Sequence, residues 1–190
     1  MAILSEVVKQ QAGLNPHSAS MLTEIADSAR GLVDSMSDIV WSIDPRRDDL
    51  HHLIARTRQF ASDVLEAQGI QYEFHAPAEI GSIKLGPDQR RHLFLILKEA
   101  INNAAKHAQC QHVALKLAVN RNQFQAEIND DGRGFPVADI GAADNGATPT
   151  RGGNGLRNMQ ARATELGGQL QIDSTPNQGT RLTLTILLKQ

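Results

Sequence analysis

Apolar and polar positions alternate in this chain with two periods. Leu22, Ile25, Ala29, Leu32, Met36 and Ile39 recur at steps of three and four, which predicts a helix with a heptad seam suited to packing on other helices. Ile3, Leu4, Val7 and Val8 suggest a truncated helix before the Asn15-Pro16 break. The seam is short for a long coiled coil, so a dimeric helix bundle is one reading. An intramolecular hairpin folded onto the following domain is the other. Pro45 ends the helix, because the residue before a proline avoids helical geometry. Asp48 or Asp49 then caps a helix whose apolar face runs Leu50, Leu53, Ile54, Ala61, Val64 and Leu65, with Gly69 as its stop. Ile70 to Phe74 reads as a short strand, and Gly86-Pro87 opens a third helix. Its buried stripe is Leu93, Leu97, Ala100, Ile101, Ala104 and Ala108.

Beyond that helix the period drops to two. Val113, Leu115, Leu117 and Val119 form one strand; Phe124, Ala126 and Ile128 form another, with a turn over Asn120 to Asn122. Asp130 keeps the parity of Phe124, Ala126 and Ile128, so an extended strand would turn its carboxylate inward. Phe135 to Gly152 has no period and reads as a mobile loop. Leu156 to Leu166 is helical and stops at Gly167-Gly168; strands over Gln169 to Asp173 and Thr180 to Leu188 close the chain. Helices and strands mix without strict alternation, which favours an α+β, two-layer α/β sandwich over a doubly wound sheet.

Composition narrows the function. A chain of 190 residues with 41% apolar content can form a real core. A formal charge of −2 argues against a generic nucleic-acid binder. No apolar run is long enough to span a bilayer, so no membrane contact is expected of this segment. The single cysteine, Cys110, forbids an internal disulfide and fits a cytoplasmic setting. The chain is compatible with the soluble end of a larger membrane protein.

Three stretches carry candidate chemistry. Glu99, Asn103, Lys106 and His107 stand at i, i+4, i+7 and i+8, on one side of a regular helix. Asn103 offers an amide oxygen suited to Mg²⁺, and Glu99, one turn earlier, is placed to act as a general base. Lys106 and His107 could meet phosphate charge. The second stretch is Asp130-Asp131-Gly132-Arg133-Gly134. A fixed acceptor-only group such as Asp130 would select the exocyclic amine of adenine, and Gly132 and Gly134 would let the base approach the backbone. The third, Gly153-Asn154-Gly155-Leu156, opens a helix whose first N–H groups can bind phosphate. Singly, these also fit a solvated helix face, a hairpin turn and a Gly-rich linker. Their order and spacing favour one ATP site.

Together they resemble the nucleotide site of the superfamily shared by sensor histidine kinases, Hsp90-type chaperones, type II topoisomerases and mismatch-repair ATPases, the GHKL or Bergerat-type fold. The run Gly153-Asn154-Gly155-Leu156-Arg157-Asn158-Met159-Gln160-Ala161-Arg162-Ala163, with Leu166-Gly167-Gly168, is similar to the G-x-G-L-x-x-M-x-x-R-A-x-x-L-G-G string of one histidine kinase branch. Gly179-Thr180 matches its last glycine box, and Asp38 to Leu50, through Trp41, resembles its junction between dimerisation helices and catalytic domain. The resemblance implies a partial dimerisation and phosphoacceptor region over 1–45 and a catalytic ATP-binding domain over 46–190, with a mixed sheet covered by helices.

It also implies roles. Asp130 would bind adenine, Asn103 would hold Mg²⁺, Glu99 would be the catalytic base, and Lys106 and His107 would lie near the phosphates. Gly132, Gly134, Gly153 and Gly155, together with Leu156 and Thr180, would complete the ATP site. The γ-phosphoryl of ATP would pass to a histidine and then to an aspartate of a response regulator, within a homodimer. The branch carries its acceptor in an H-D-x-x-G setting, which His17, in Asn-Pro-His-Ser-Ala, does not match. Autophosphorylation by this polypeptide alone is therefore not expected. A non-catalytic ATP-gated dimerisation module and an anti-sigma-type serine kinase are the alternatives.

Overall fold

The structure, a computed structural model, describes residues 16–44, 48–78, 80, 83–137 and 153–188. The chain divides into two compact units, Met1–Asp44 and Pro45–Gln190. The truncated helix expected over Ile3 to Val8, the Pro45 stop and most of the expected loop lie outside the described residues.

Helix α1 spans Pro16–Ile43. Within this chain Ile25, Leu32, Met36 and Ile39 of the heptad seam remain exposed, Leu32 by 67%. In the second unit α2 spans Leu50–Ala67. Asp49 is its N-cap and accepts the His52 N–H at 2.8 Å, which satisfies an amide that the first turn cannot pair internally. Leu50, Leu53, Ile54, Ala61 and Leu65 are buried as the spacing predicts. Thr57 joins them, its hydroxyl donating to Leu53 O at 2.8 Å, so a polar group enters the core with its partner. His51 and His52 are exposed.

Strand β1 (Gln71–His75) leads to α3 (Pro87–Asn103), which has Gly86 at its N-cap and Pro87 in its first turn. The phenyl rings of Phe60 and Phe94 join α2 to α3 edge to face, with centroids 6.1 Å apart. Strands β2 (His112–Asn120) and β3 (Gln123–Asp130) form a hairpin. Arg121 takes the left-handed conformation of its turn. Helix α4 (Gly153–Glu165) precedes β4 (Gln169–Ser174) and β5 (Thr180–Leu187).

The sheet order is β1-β2-β3-β5-β4, with β1 parallel to β2 and all other pairs antiparallel. Val113, Leu115, Leu117, Phe124, Ala126, Ile128, Leu182, Leu184 and Ile186 are buried. Their neighbours Lys116, Gln123, Gln125 and Arg181 are exposed. One sheet face therefore packs inward, and each Leu or Phe removed from water there contributes roughly 2 kcal/mol relative to exposure. Leu93, Ile96, Leu97, Ile101, Met159 and Ala163 supply the buried side of α3 and α4. The result is the two-layer α+β arrangement that the alternation predicts.

Candidate functional site

The sheet order puts β3 in the centre, and the strand runs far enough to include Asp130. Parity turns this carboxylate to the buried face, where Asp130 is 8% exposed. Asp130 Oδ1 accepts the Gly132 N–H at 3.0 Å. Burial pushes its pKa above the ordinary carboxylate range; backbone hydrogen bonds from Gly132 and Thr180 oppose that shift, and the charge of Asp131 adds to it. A desolvated acceptor of this kind gains most when a donor arrives.

Two backbone contacts hold the loop beyond β3. A Cβ on Gly132 would overlap the Ala108 carbonyl, and one on Gly179 would overlap the Asp130 carbonyl. Gly134 and Gly179 both have positive φ, at 55° and 76°, and Gly134 lies against Thr175 O and Gly179 O. Only glycine meets both demands without strain. Arg133 N–H donates to Ala108 O at 2.8 Å, and Asn177 N–H donates to Arg133 O at 2.6 Å. Ser174 Oγ accepts the Phe135 N–H at 2.9 Å and lies 3.0 Å from Thr180 Oγ1. The loop Asp131–Phe135 is thus clamped between the end of the third helix and the β4–β5 turn, and Thr180 pairs with Asp130 across β3 and β5.

The partner in that clamp is a feature the sequence pattern did not reveal. At Ala104 the helix widens into a π turn, Ala104–Ala108, followed by Gln109 in the left-handed region. Bonds to the fifth residue replace bonds to the fourth, so the regular one-sided spacing expected for Lys106 and His107 does not hold past Asn103. Glu99 and Asn103 precede the turn, are half-buried and remain one α-helical turn apart. Lys106 and His107 are exposed on the π turn, while Ala104 and Ala108 stay buried. Short residues (Ala104, Ala105 and Ala108) allow the wide winding, but no feature of the periodicity calls for it.

Gly155 brings the third stretch to the first. A Cβ there would overlap Glu99 Oε1, so the Glu99 carboxylate lies against the first turn of α4. Gly153 begins that helix, and Leu156 is half-buried within it. The structure therefore brings together Glu99 with Gly155, and Asp130 with Gly132, Gly179 and Thr180. The expected loop residues 138–152 lie outside the described residues.

Asp131, beside Asp130 in the acidic turn, faces the start of β2. Its Oδ1 accepts the backbone N–H groups of Gln111 and His112 at 2.8 and 2.9 Å, and its Oδ2 lies 2.9 Å from His112 Nδ1. The backbone N–H of His112 leads the effects that hold its pKa below the usual carboxylate value. A lowered carboxylate pKa adds stability above the unfolded value, about 4, and that stability fades as pH falls through the folded one. Cys110 is buried, and burial followed by the charges of Asp130 and Asp131 pushes its thiol pKa up.

Which groups could hold a nucleotide and its metal follows from these positions. Asn103 supplies an oxygen donor one turn from Glu99. Mg²⁺ takes most of its ligands from phosphate and water, so one amide is enough to fit. Among the described residues no group of three His, Cys, Asp or Glu side chains forms a dedicated cage, and none of the helices is long and apolar enough to cross a membrane.

The family model described as "Histidine kinase-, DNA gyrase B-, and HSP90-like ATPase" matches residues 88–190. An uncharacterized sensor-like histidine kinase of Chloroflexus aurantiacus is 35% identical over 109 residues, 57% of this chain and 18% of that protein. The signal transduction histidine-protein kinase/phosphatase DegS of Brevibacillus brevis is 31% identical over 170 residues, 87% of this chain and 41% of that protein. The chain thus spans less than half the length of these curated relatives. The histidine kinase domain of the Erythrobacter litoralis blue-light activated kinase superposes with a TM-score of 0.61, at 19% identity, over 98% of this chain and 92% of that one. That likeness is one of fold.

Proposed function

Since this chain belongs to the histidine kinase-, DNA gyrase B- and HSP90-like ATPase family, in its sensor histidine kinase branch, we propose that it binds ATP through Asp130 and passes the γ-phosphoryl group to a histidine. The observation that carries the reading is the buried carboxylate of Asp130 at the end of the central strand, which accepts the Gly132 N–H while Gly179 packs on the main-chain carbonyl of the same residue. In this reading Asp130 accepts the adenine amine, and Gly132 and Gly134 leave room for the base. Gly153, Gly155 and Leu156 open a helix toward the phosphates, and Lys106 and His107 add positive charge nearby. Thr180 fixes the floor by pairing with Asp130.

Asn103 would hold Mg²⁺, which when bound neutralises phosphate charge and orients the γ-phosphoryl. Glu99 would take the proton of the attacking imidazole or orient it. The carboxylate lies against Gly155, so helix α4 both cradles phosphate and sets the position of the base. The exposed seam of α1 would pair with a second copy of the chain, and the phosphoryl group would go on to a receiver-domain aspartate, all in the cytoplasm. Residues 1–45 and 46–190 would divide these tasks.

Asp130→Ala is the direct test. A hydrogen bond to a charged group is worth about 1.5–3 kcal/mol, so ADP affinity by calorimetry should fall roughly 10- to 150-fold. An unchanged affinity would remove the reading. Gly155→Ala probes the other end. Its methyl group would meet the tip of a flexible side chain, so Glu99 would move while the fold survives. Transfer should drop roughly tenfold or more, with a melting temperature within about 3 °C of the parent.

A further inference from the structure

The second carboxylate of the acidic loop has a geometry of its own. Past the π turn the chain reverses through Gln109, with φ of 55°, and the N–H groups of Gln111 and His112 both converge on Asp131 Oδ1, at 2.8 and 2.9 Å. The imidazole of His112 meets Oδ2 at 2.9 Å through Nδ1 and lies 3.0 Å from Gln71 Oε1 through Nε2. Asp131 N–H donates back to His112 O at 3.3 Å. The His112 imidazole therefore links Gln71 of β1, the start of β2 and Asp131, the residue next to Asp130.

We propose that Asp131 is a positioning residue for nucleotide: it fastens the loop bearing Asp130 and Gly132 to the start of β2, and so keeps the Asp130 carboxylate facing the purine. The proposal rests on the assignment of Asp130 to adenine. Its physical basis is a conflict within the loop. Asp130 is an acid held in a buried place, with another acid beside it. Turning outward would return it to water, and the neighbouring bonds of Asp131 oppose that rotation. Charge-assisted bonds from backbone amides are short and directional, which suits them to fixing a loop.

The test is ADP calorimetry on the full chain and three variants. Loss of both amide contacts in Asp131→Ala should weaken ADP by roughly tenfold or more. Asp131→Asn retains one oxygen for the Gln111 and His112 amides and should stay within about fivefold of the parent. His112→Ala leaves Oδ1 on both amides and should cost less than Asp131→Ala. If the parent shows no saturable heat, the adenine reading fails first. If the parent binds and Asp131→Ala binds equally well, or Asp131→Asn is as weak as Asp131→Ala, only the positioning role is overturned. Should the alanine protein not fold, the asparagine protein decides the matter: affinity within about fivefold supports the role, and a larger loss overturns it.

Discussion

Glu99→Ala should lower phosphoryl transfer to a separately supplied histidine segment by roughly 10²- to 10⁴-fold, the range set by loss of a general base. ADP affinity should stay within about threefold, because the carboxylate is assigned to the attacking group and not to the base or sugar. The geometry supports that separation. Glu99 lies against Gly155 at the start of α4, whereas Asp130 sits at the end of β3 among Gly132, Gly179 and Thr180. Transfer from γ-labelled ATP, followed by acid-labile phosphate counting, measures the first quantity; calorimetry measures the second. Transfer at the parental rate would show that another group orients the attacking histidine. Loss of affinity and rate together would instead mean that Glu99 shapes the whole pocket.

Gly132→Ala should weaken nucleotide binding more than any other single change proposed here and lower the melting temperature. The added methyl group would fall on the Ala108 carbonyl and carbonyl carbon. These are main-chain atoms, so relief requires a shift of the loop or of the π turn. Overpacking of this kind costs about 3 kcal/mol at the upper end, which corresponds to a drop of roughly 10 °C for a unit of this size. The same shift breaks the Arg133 N–H bond to Ala108 O and disturbs the Gly132 N–H bond to Asp130. ADP affinity should therefore fall beyond roughly 150-fold, more than removal of the Asp130 carboxylate alone, since both the acceptor and the recess are lost. A folded Gly132→Ala protein with parental affinity would contradict the clamp.

Much of this arrangement was legible in the order of residues, and the reasons are physical. Strict alternation from Phe124 onward fixed the parity of Asp130, because a strand with one buried face tolerates no slip. Heptad and α-helical periods located α1, α2 and α3, since one apolar stripe must be covered. Gly86-Pro87 and the acidic pair before Leu50 marked helix starts through local backbone demands. Three features escaped. The π turn changes winding without changing the apolar stripe, as Ala104 and Ala108 are buried in either form. The parallel pairing of β1 with β2 depends on a long connection through α3 and not on the spelling of either strand. The bonds of Asp131 join residues 20 and 19 positions away, a distance over which periodicity carries no information. Of the candidate site, Glu99 and Asp130 were placed by pattern. The common face assigned to Lys106 and His107 assumed a regular helix that ends at Asn103.

The five-residue winding at Ala104–Ala108 sets a rule about chain length. A regular helix would close the same turn with one residue fewer per bond. Deleting Ala105 would let the segment rewind as a regular α turn over the same span. The extra position is thus one that a related sequence could lack and still turn a main-chain carbonyl toward Gly132 and Arg133.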